Sequence, residues 1–294
     1  MTTTRRRSAR ATIGIIGGSG LYDIEGFKTK KTVTVRTPFG SPSGPLTIGS
    51  LAGRDVAFLA RHGAGHRLSP SQINYRANIH AFKQVGVERI LSVSAVGSMK
   101  EAIHPGDLLV PDQFYDHTKH RRATFFEDGV VAHVAFADPV CPKLTAALAE
   151  GCERLGLTHH RGGTYLCMEG PQFSTRAESL IYRQWGVEVI GMTNATEAKL
   201  AREAQICYAT LALVTDYDCW HHEEEAVTVE GVIKILTENV AKAKRVLAAV
   251  IPALPIDRRC ACEAALAHAI ITQPGAIPRR TRRKLALLLP GTRT

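Results

Sequence analysis

The stretch of this chain best equipped for chemistry is a pair of acids at the end of an apolar run. Residues 209–214 (Ala-Thr-Leu-Ala-Leu-Val) read as a short buried strand, and Thr215-Asp216-Tyr217-Asp218-Cys219-Trp220 follows directly. A strand that breaks into carboxylates opens onto a site, because carboxylates are rarely left unpaired in a core. Side chains alternate along an extended chain, so Asp216 and Asp218 are expected on one face, with Tyr217 and Cys219 pointing back into the protein. Two close carboxylates in a low-dielectric pocket resist simultaneous ionisation, so one can hold a proton while the other accepts a hydrogen bond from a polar ring. A solvated turn with two capping aspartates fits the spacing equally well.

Other strand ends supply complementary chemistry. Residues 12–16 run into Gly17-Gly18-Ser19-Gly20, where backbone amides can converge on an anion. This is neither a dinucleotide fingerprint, whose third glycine is missing, nor a triphosphate loop, since no Gly-Lys-Ser/Thr follows. Residues 55–60 lead to Arg61-His62, an arginine fork and an imidazole beside glycines, suited to an oxyanion. The strand 89–93 ends in a small-residue turn, Ser94-Ala95-Val96-Gly97-Ser98, that leaves room for a ligand. After strand 163–167 comes a loop in which Phe173 can stack a flat ring while Glu169 binds a hydroxyl, although a Gly-Pro turn with a buried Phe fits the pattern as well.

The elements that must position these residues alternate in type. Strands are expected at 31–36, 46–48, 107–110 and 188–192, and helices at 74–85, 143–155, 177–184, 197–204 and 227–251. The loop 112–120 carries histidines and aspartates without regular metal-ligand spacing and reads as solvated. The fold class is α/β with a mostly parallel or mixed sheet.

Composition narrows the function. At 294 residues and 45% hydrophobic content the chain can bury a sizeable core. The net charge of +10 is concentrated at the ends, in Arg5, Arg6 and Arg7 and in Arg279, Arg280, Arg282, Arg283 and Lys284, without the aromatic interleaving of a nucleic-acid surface. No signal-peptide pattern or apolar run near the length of a membrane span appears. Seven cysteines without disulfide-framework spacing suit a reducing compartment, and a cytoplasmic protein is expected. Cys260-Ala261-Cys262 is read as two reduced thiols in preference to a strained disulfide.

Seven separate segments resemble the trimeric purine nucleoside phosphorylase family, in order: GIIGGSGL (14–21), TPFGSPS (37–43), LARHG (59–63), NYRANI (74–79), EGPQFSTRAES (169–179), GMTNATEAKLAREA (191–204) and TDYDCW (215–220). The resemblance implies a single-domain phosphorylase-like fold over 13–255, a central mixed sheet flanked by helices, preceded by a flexible basic arm (1–12). An extension (256–294) would pack on the domain or on a neighbouring subunit. It implies phosphorolysis of S-methyl-5'-thioadenosine to adenine and 5-methylthioribose 1-phosphate, with inorganic phosphate as co-substrate and neither metal nor organic cofactor. By matching motif, Ser19, Arg61, His62, Ser94 and Thr193 would hold phosphate. Ala95, Phe173, Met192 and Thr215 would line the nucleoside site. Asp216 and Asp218 would face the exocyclic amine and the seven-position nitrogen of the purine as the catalytic pair. In the homotrimer the resemblance implies, His133 and Leu288 would reach a neighbour's pocket, and Val229 and Val232 would form the same subunit's apolar wall. One departure is Ala195-Thr196-Glu197, which lacks a proline the family places at the turn into that helix. The rival enzymatic reading is a phosphorylase of 6-oxopurine nucleosides or methylthioinosine. A non-catalytic nucleoside- or nucleic-acid-binding protein is favoured only by the basic ends; neither nucleic acid nor membrane is an expected partner.

Overall fold

The computed structural model describes residues 11–18, 21, 24, 26–221 and 229–289, without the side chains of 229–232. In chain order the strands are β1 (Ile13–Gly17), β2 (Lys28–Val33), β3 (Leu46–Leu51), β4 (Arg54–Ala60), β5 (Arg89–Ser98), β6 (Leu108–Val110), β7 (Gln113–His117), β8 (His159–Arg161), β9 (Thr164–Met168), β10 (Val189–Gly191) and β11 (Cys207–Asp216). The helices longer than one turn are α1 (Tyr75–Gln84), α2 (Pro142–Arg154), α3 (Arg176–Gln184), α4 (Asn194–Glu203), α5 (Val229–Ala253) and α6 (Arg279–Lys284).

All eleven strands form one mixed sheet, ordered β2-β3-β4-β1-β5-β10-β9-β7, with β11 pairing both β5 and β6, and β6 pairing β8. β1, β5 and β11 are parallel and almost wholly buried, which their continuous apolar or small-residue runs require, since helices cover both faces. Alternation along β1 sorts the two cores. Ile16 packs with Phe82 of α1, Leu200 of α4 and Leu285, Leu288 and Leu289 near the C-terminus. Ile13 and Ile15 pack on the opposite side with Leu148 of α2 and Leu247 of α5. A side chain at Gly14 would meet the Phe82 ring and Val87 at 3.0 Å, so glycine lets α1 lie close to the sheet.

Two expectations from the sequence are corrected. The turn expected at 94–98 is strand, because β11 pairs with β5 through Gly97 and holds those small residues extended. Residues 113–117, expected as solvated loop, form edge strand β7, recruited by five consecutive pairings to β9. No helix among the described residues is long and apolar enough to cross a membrane.

Candidate active site

The sheet opens in the middle of β5. β1 pairs with β5 only from Arg89 to Val93, and β10 joins the same edge only at Gly97 and Ser98. Ser94, Ala95 and Val96 therefore face no strand there. Ser94 is half-buried and Ala95 exposed in a strand whose other eight residues are buried, so a cleft reaches the sheet at these two positions. On the opposite edge β11 stays in register, with Leu213 opposite Ala95, Val214 opposite Val96 and Asp216 opposite Gly97. The acids thus arrive about two residues, roughly 7 Å along the strand, beyond Ala95.

The acids converge, but by a different route from the one the spacing suggests. β11 ends at Asp216, and Asp218 sits in a turn with φ +53°, a left-handed conformation that aspartate adopts more readily than most residues. Asp216 Oδ1 accepts the Asp218 backbone N–H at 2.8 Å, and Asp216 Oδ2 lies 2.7 Å from Thr215 Oγ1, which is itself 3.2 Å from Val96 O. A Cβ on Gly97 would stand 2.8 Å from Asp216 Oδ1 and 3.4 Å from Asp218 Cβ, so both acids share the ground over that glycine. Strand alternation is not what brings them together; the turn is. Tyr217 does point inward, whereas Cys219 is half-buried with its sulfur 3.3 Å from Ser174 O. Burial raises the pKa of Asp218, with Glu178 a lesser contributor, so desolvation favours its protonated form.

Beneath the cleft, Arg61 is 1% exposed and its fork is turned into the protein. Nε donates to Glu197 Oε1 at 2.5 Å, Nη2 to Ser92 Oγ at 2.6 Å and Glu197 Oε2 at 3.1 Å, and Nη1 to Val93 O at 2.8 Å. Burial works against the charge and Glu197 more than restores it, leaving the guanidinium pKa raised. Tyr208 also donates to Glu197 Oε2, at 2.8 Å. Arg61 therefore holds the floor of the cleft under Ser92 and Val93. Glu197 is fully buried and central to that floor, and sequence reasoning missed it: a Glu on a helix ordinarily marks a solvated face.

His62 lies against the carbonyl of Leu68, Nδ1 to O 2.9 Å, and stacks on His66 at 4.1 Å between ring centroids. A carbonyl can only accept, so Nδ1 carries the proton and Nε2 is an acceptor. Burial first, then the neighbouring Arg61, lower its pKa to about 4, and the ring is neutral at physiological pH. Thr193, between β10 and α4, occupies the N-cap of α4 with Oγ1 2.9 Å from Asn194 Oδ1. Asn194 Nδ2 ties the start of the helix to Thr210 at 2.7 Å and to Ser92 at 3.3 Å, the same serine that Arg61 Nη2 holds. The helix starts at Asn194 without a proline.

With this geometry in view, the comparison with known proteins is decisive for the family. The family model described as "Phosphorylase superfamily" matches residues 12–252. The chain belongs to that superfamily. The phosphorylase is 56% identical over 280 residues to the S-methyl-5'-thioadenosine phosphorylase of Koribacter versatilis, covering 95% of this chain and 96% of the relative. It is 55% identical to the protein of the same name from Geobacter sulfurreducens, covering 94% and 97%. Among solved structures it superposes with a TM-score of 0.92 on a methylthioadenosine phosphorylase from an antarctic soil metagenomic library, at 49% identity and 96% and 100% coverage. A Schistosoma mansoni methylthioadenosine phosphorylase in complex with adenine gives 0.84 at 35% identity, covering 90% and 100%.

The remaining candidate residues of the phosphorylase are distributed unevenly. Met192 is half-buried and seated on Gly170, where a Cβ would come within 2.5 Å of its sulfur; its carbonyl accepts from Arg121 at 2.7 Å. Phe173 is 58% exposed on the loop before α3. Glu169, expected to bind a hydroxyl, is spent on the protein itself: Ser71 Oγ, the Lys119 and His120 amides and Arg121 Nε all donate to it. Burial opposes its charge, but these donors hold its pKa down at about 2. Leu288, expected to cross to a neighbour, is 2% exposed in this subunit's own core, because Leu285, Leu288 and Leu289 together close the apolar face beside Phe125 and Ile277. His133 is exposed, with its amide bonded to Ala269 O at 2.8 Å. Ser19 lies outside the described residues, as do the side chains of Val229 and Val232 on α5.

Proposed function

We propose that this phosphorylase cleaves S-methyl-5'-thioadenosine with inorganic phosphate, giving adenine and 5-methylthioribose 1-phosphate. The observation that carries the reading is the placement of a buried carboxyl with a raised pKa, Asp218, and a hydrogen-bonded carboxylate, Asp216, beside the cleft at Ser94 and Ala95. Relatives more than half identical along nearly their whole length bear the matching name. A phosphate oxygen forms a bond to the anomeric carbon as the bond from that carbon to N9 breaks, and the electron pair leaves with the base. Asp218 delivers its proton to N7 and regains one from the hydrogen phosphate, whose product monoester is fully deprotonated. Asp216 accepts from the 6-amino group. The α4 N-terminus with Thr193, and Ser94, receive the phosphate; neutral His62 accepts from the phosphate hydroxyl through Nε2. Phe173 and Met192 lie against the base and ribose. Positioning and electrostatics supply the acceleration, and no metal or organic cofactor takes part in the chemistry.

The active species in this reading is a cytoplasmic homotrimer whose neighbour covers the methylthio end of the cleft. The test measures base release from methylthioadenosine, adenosine, methylthioinosine and inosine in parallel, with and without phosphate. Methylthioadenosine should be preferred and its cleavage should require phosphate; equal release in phosphate-free buffer would make the protein a hydrolase.

A further inference from the structure

At the end of the sheet away from the acids, four cysteines meet. Cys207 opens β11, Cys141 is the N-cap of α2, and Cys260 and Cys262 lie beyond α5. Their Sγ atoms all lie within 4.8 Å of one another, and Cys207 and Cys260 are 3.3 Å apart, far outside the roughly 2.05 Å of a covalent disulfide. Three are buried and Cys260 is half-buried. We propose that these thiols form a closed, structural four-thiolate site for zinc.

Three features carry the assignment. Tetrahedral coordination at about 2.3 Å per Zn–S bond places sulfurs roughly 3.8 Å apart, inside the observed envelope. All four sulfurs are mutually close, as a single ion requires and as two separate disulfides would not. The charge is also provided for: a four-thiolate zinc carries two negative charges, and Arg89, which lines the same roughly 380 Å³ cavity as Cys141 and Cys207, is 3% exposed with no ion-pair partner among the described residues. Its Nη1 is buried without a hydrogen-bond partner, while Nη2 holds the carbonyls of Pro255 and Ile256 at 2.8 and 3.1 Å, directly before the Cys260-Ala261-Cys262 turn.

The site is structural. From Cys207 to Asp216 β11 runs ten residues, so about 30 Å separates the metal from the chemistry. Zinc here would pin residues 255–264 to β11 and α2, and through them anchor the path that returns Leu285, Leu288 and Leu289 to the core. Binding displaces four thiol protons to solvent and changes no oxidation state, so no redox partner is required.

The experiment is elemental analysis of full-length protein purified in reductant without chelator. About one zinc per chain is expected, lost in the Cys260→Ser/Cys262→Ser variant. Because that variant can fail to fold, a second measurement uses the wild-type chain: denatured in chelator and refolded with cobalt(II) under reductant, it should develop thiolate-to-cobalt charge-transfer absorption that one equivalent of zinc abolishes. Wild-type protein that contains no zinc and gives no cobalt band overturns the proposal. So does metal-free protein whose unreduced digest shows Cys141, Cys207, Cys260 and Cys262 paired in disulfides.

Discussion

At the scale of single residues, the two acids are distinguished by environment and not by type. Asp218 is buried in a left-handed turn and its pKa is raised, whereas Asp216 has protein donors on both oxygens. The unfolded chain ionises Asp218 at its ordinary value near 3.8. Its contribution to stability is therefore fully present below that pH and is lost as pH rises through the raised folded-state value. At neutral pH the buried carboxyl is a cost to the fold, so Asp218→Asn should hold or raise the melting temperature at pH 7.5. The same change should lower kcat/KM for methylthioadenosine about 100-fold or more, since a general acid typically contributes that much. A coincident fall in stability and activity would make Asp218 a packing residue. Asp216→Asn keeps an oxygen for the Asp218 amide, so the turn should survive and base reading alone should change. A 6-aminopurine would then lose its acceptor while a 6-oxopurine would gain a donor, shifting the ratio of their kcat/KM values by about 5-fold to 150-fold toward the 6-oxo substrate. Equal losses on both would show that Asp216 does not read the base.

At the scale of elements, legibility in the sequence follows burial. β1 and β11 were readable because central parallel strands are unbroken apolar runs, and Asp216 because it interrupts one. The second half of β5 was not, because Ser94-Ala95-Val96-Gly97-Ser98 has the composition of a turn and is strand only through its neighbours. The four cysteines lie 2 to 121 residues apart, and only topology brings them together. The Arg61–Glu197 pair joins β4 to α4 across 136 residues, so the arginine was readable as an anion ligand while its buried partner was invisible. Removing either charge should be costly. Glu197→Gln or Arg61→Met should each destabilise the fold by about 3–5 kcal/mol through the uncompensated partner, while the double variant Arg61→Met/Glu197→Gln should cost less than the sum. Urea denaturation of the three variants measures this; strict additivity would mean that the two do not act as a pair.

At the scale of the molecule, the open cleft and an exposed apolar surface belong to neighbouring elements. β7 ends the sheet, and its Tyr115 packs edge-on against Trp185, which follows α3, with ring centroids 5.2 Å apart. Tyr115, Leu180, Ile181 and Trp185 are each more than 40% exposed, and Phe173, on the loop leading into α3, is more so. An edge strand and a helix that each expose large apolar side chains, joined by the Tyr115–Trp185 contact, are the kind of surface that a protein keeps for association. A second copy of the chain docked there would bury these side chains and steady the loop of Phe173, the residue proposed to lie against the base. Trp185→Lys should therefore shift the protein toward monomer in sedimentation velocity. It should also raise KM for methylthioadenosine, because the Phe173 loop loses its support, while Asp218 and the α4 N-terminus remain assembled within each chain and kcat falls less. A Trp185→Lys protein that sediments as a monomer with unchanged KM would separate assembly from catalysis and place the closure of the cleft entirely within one subunit.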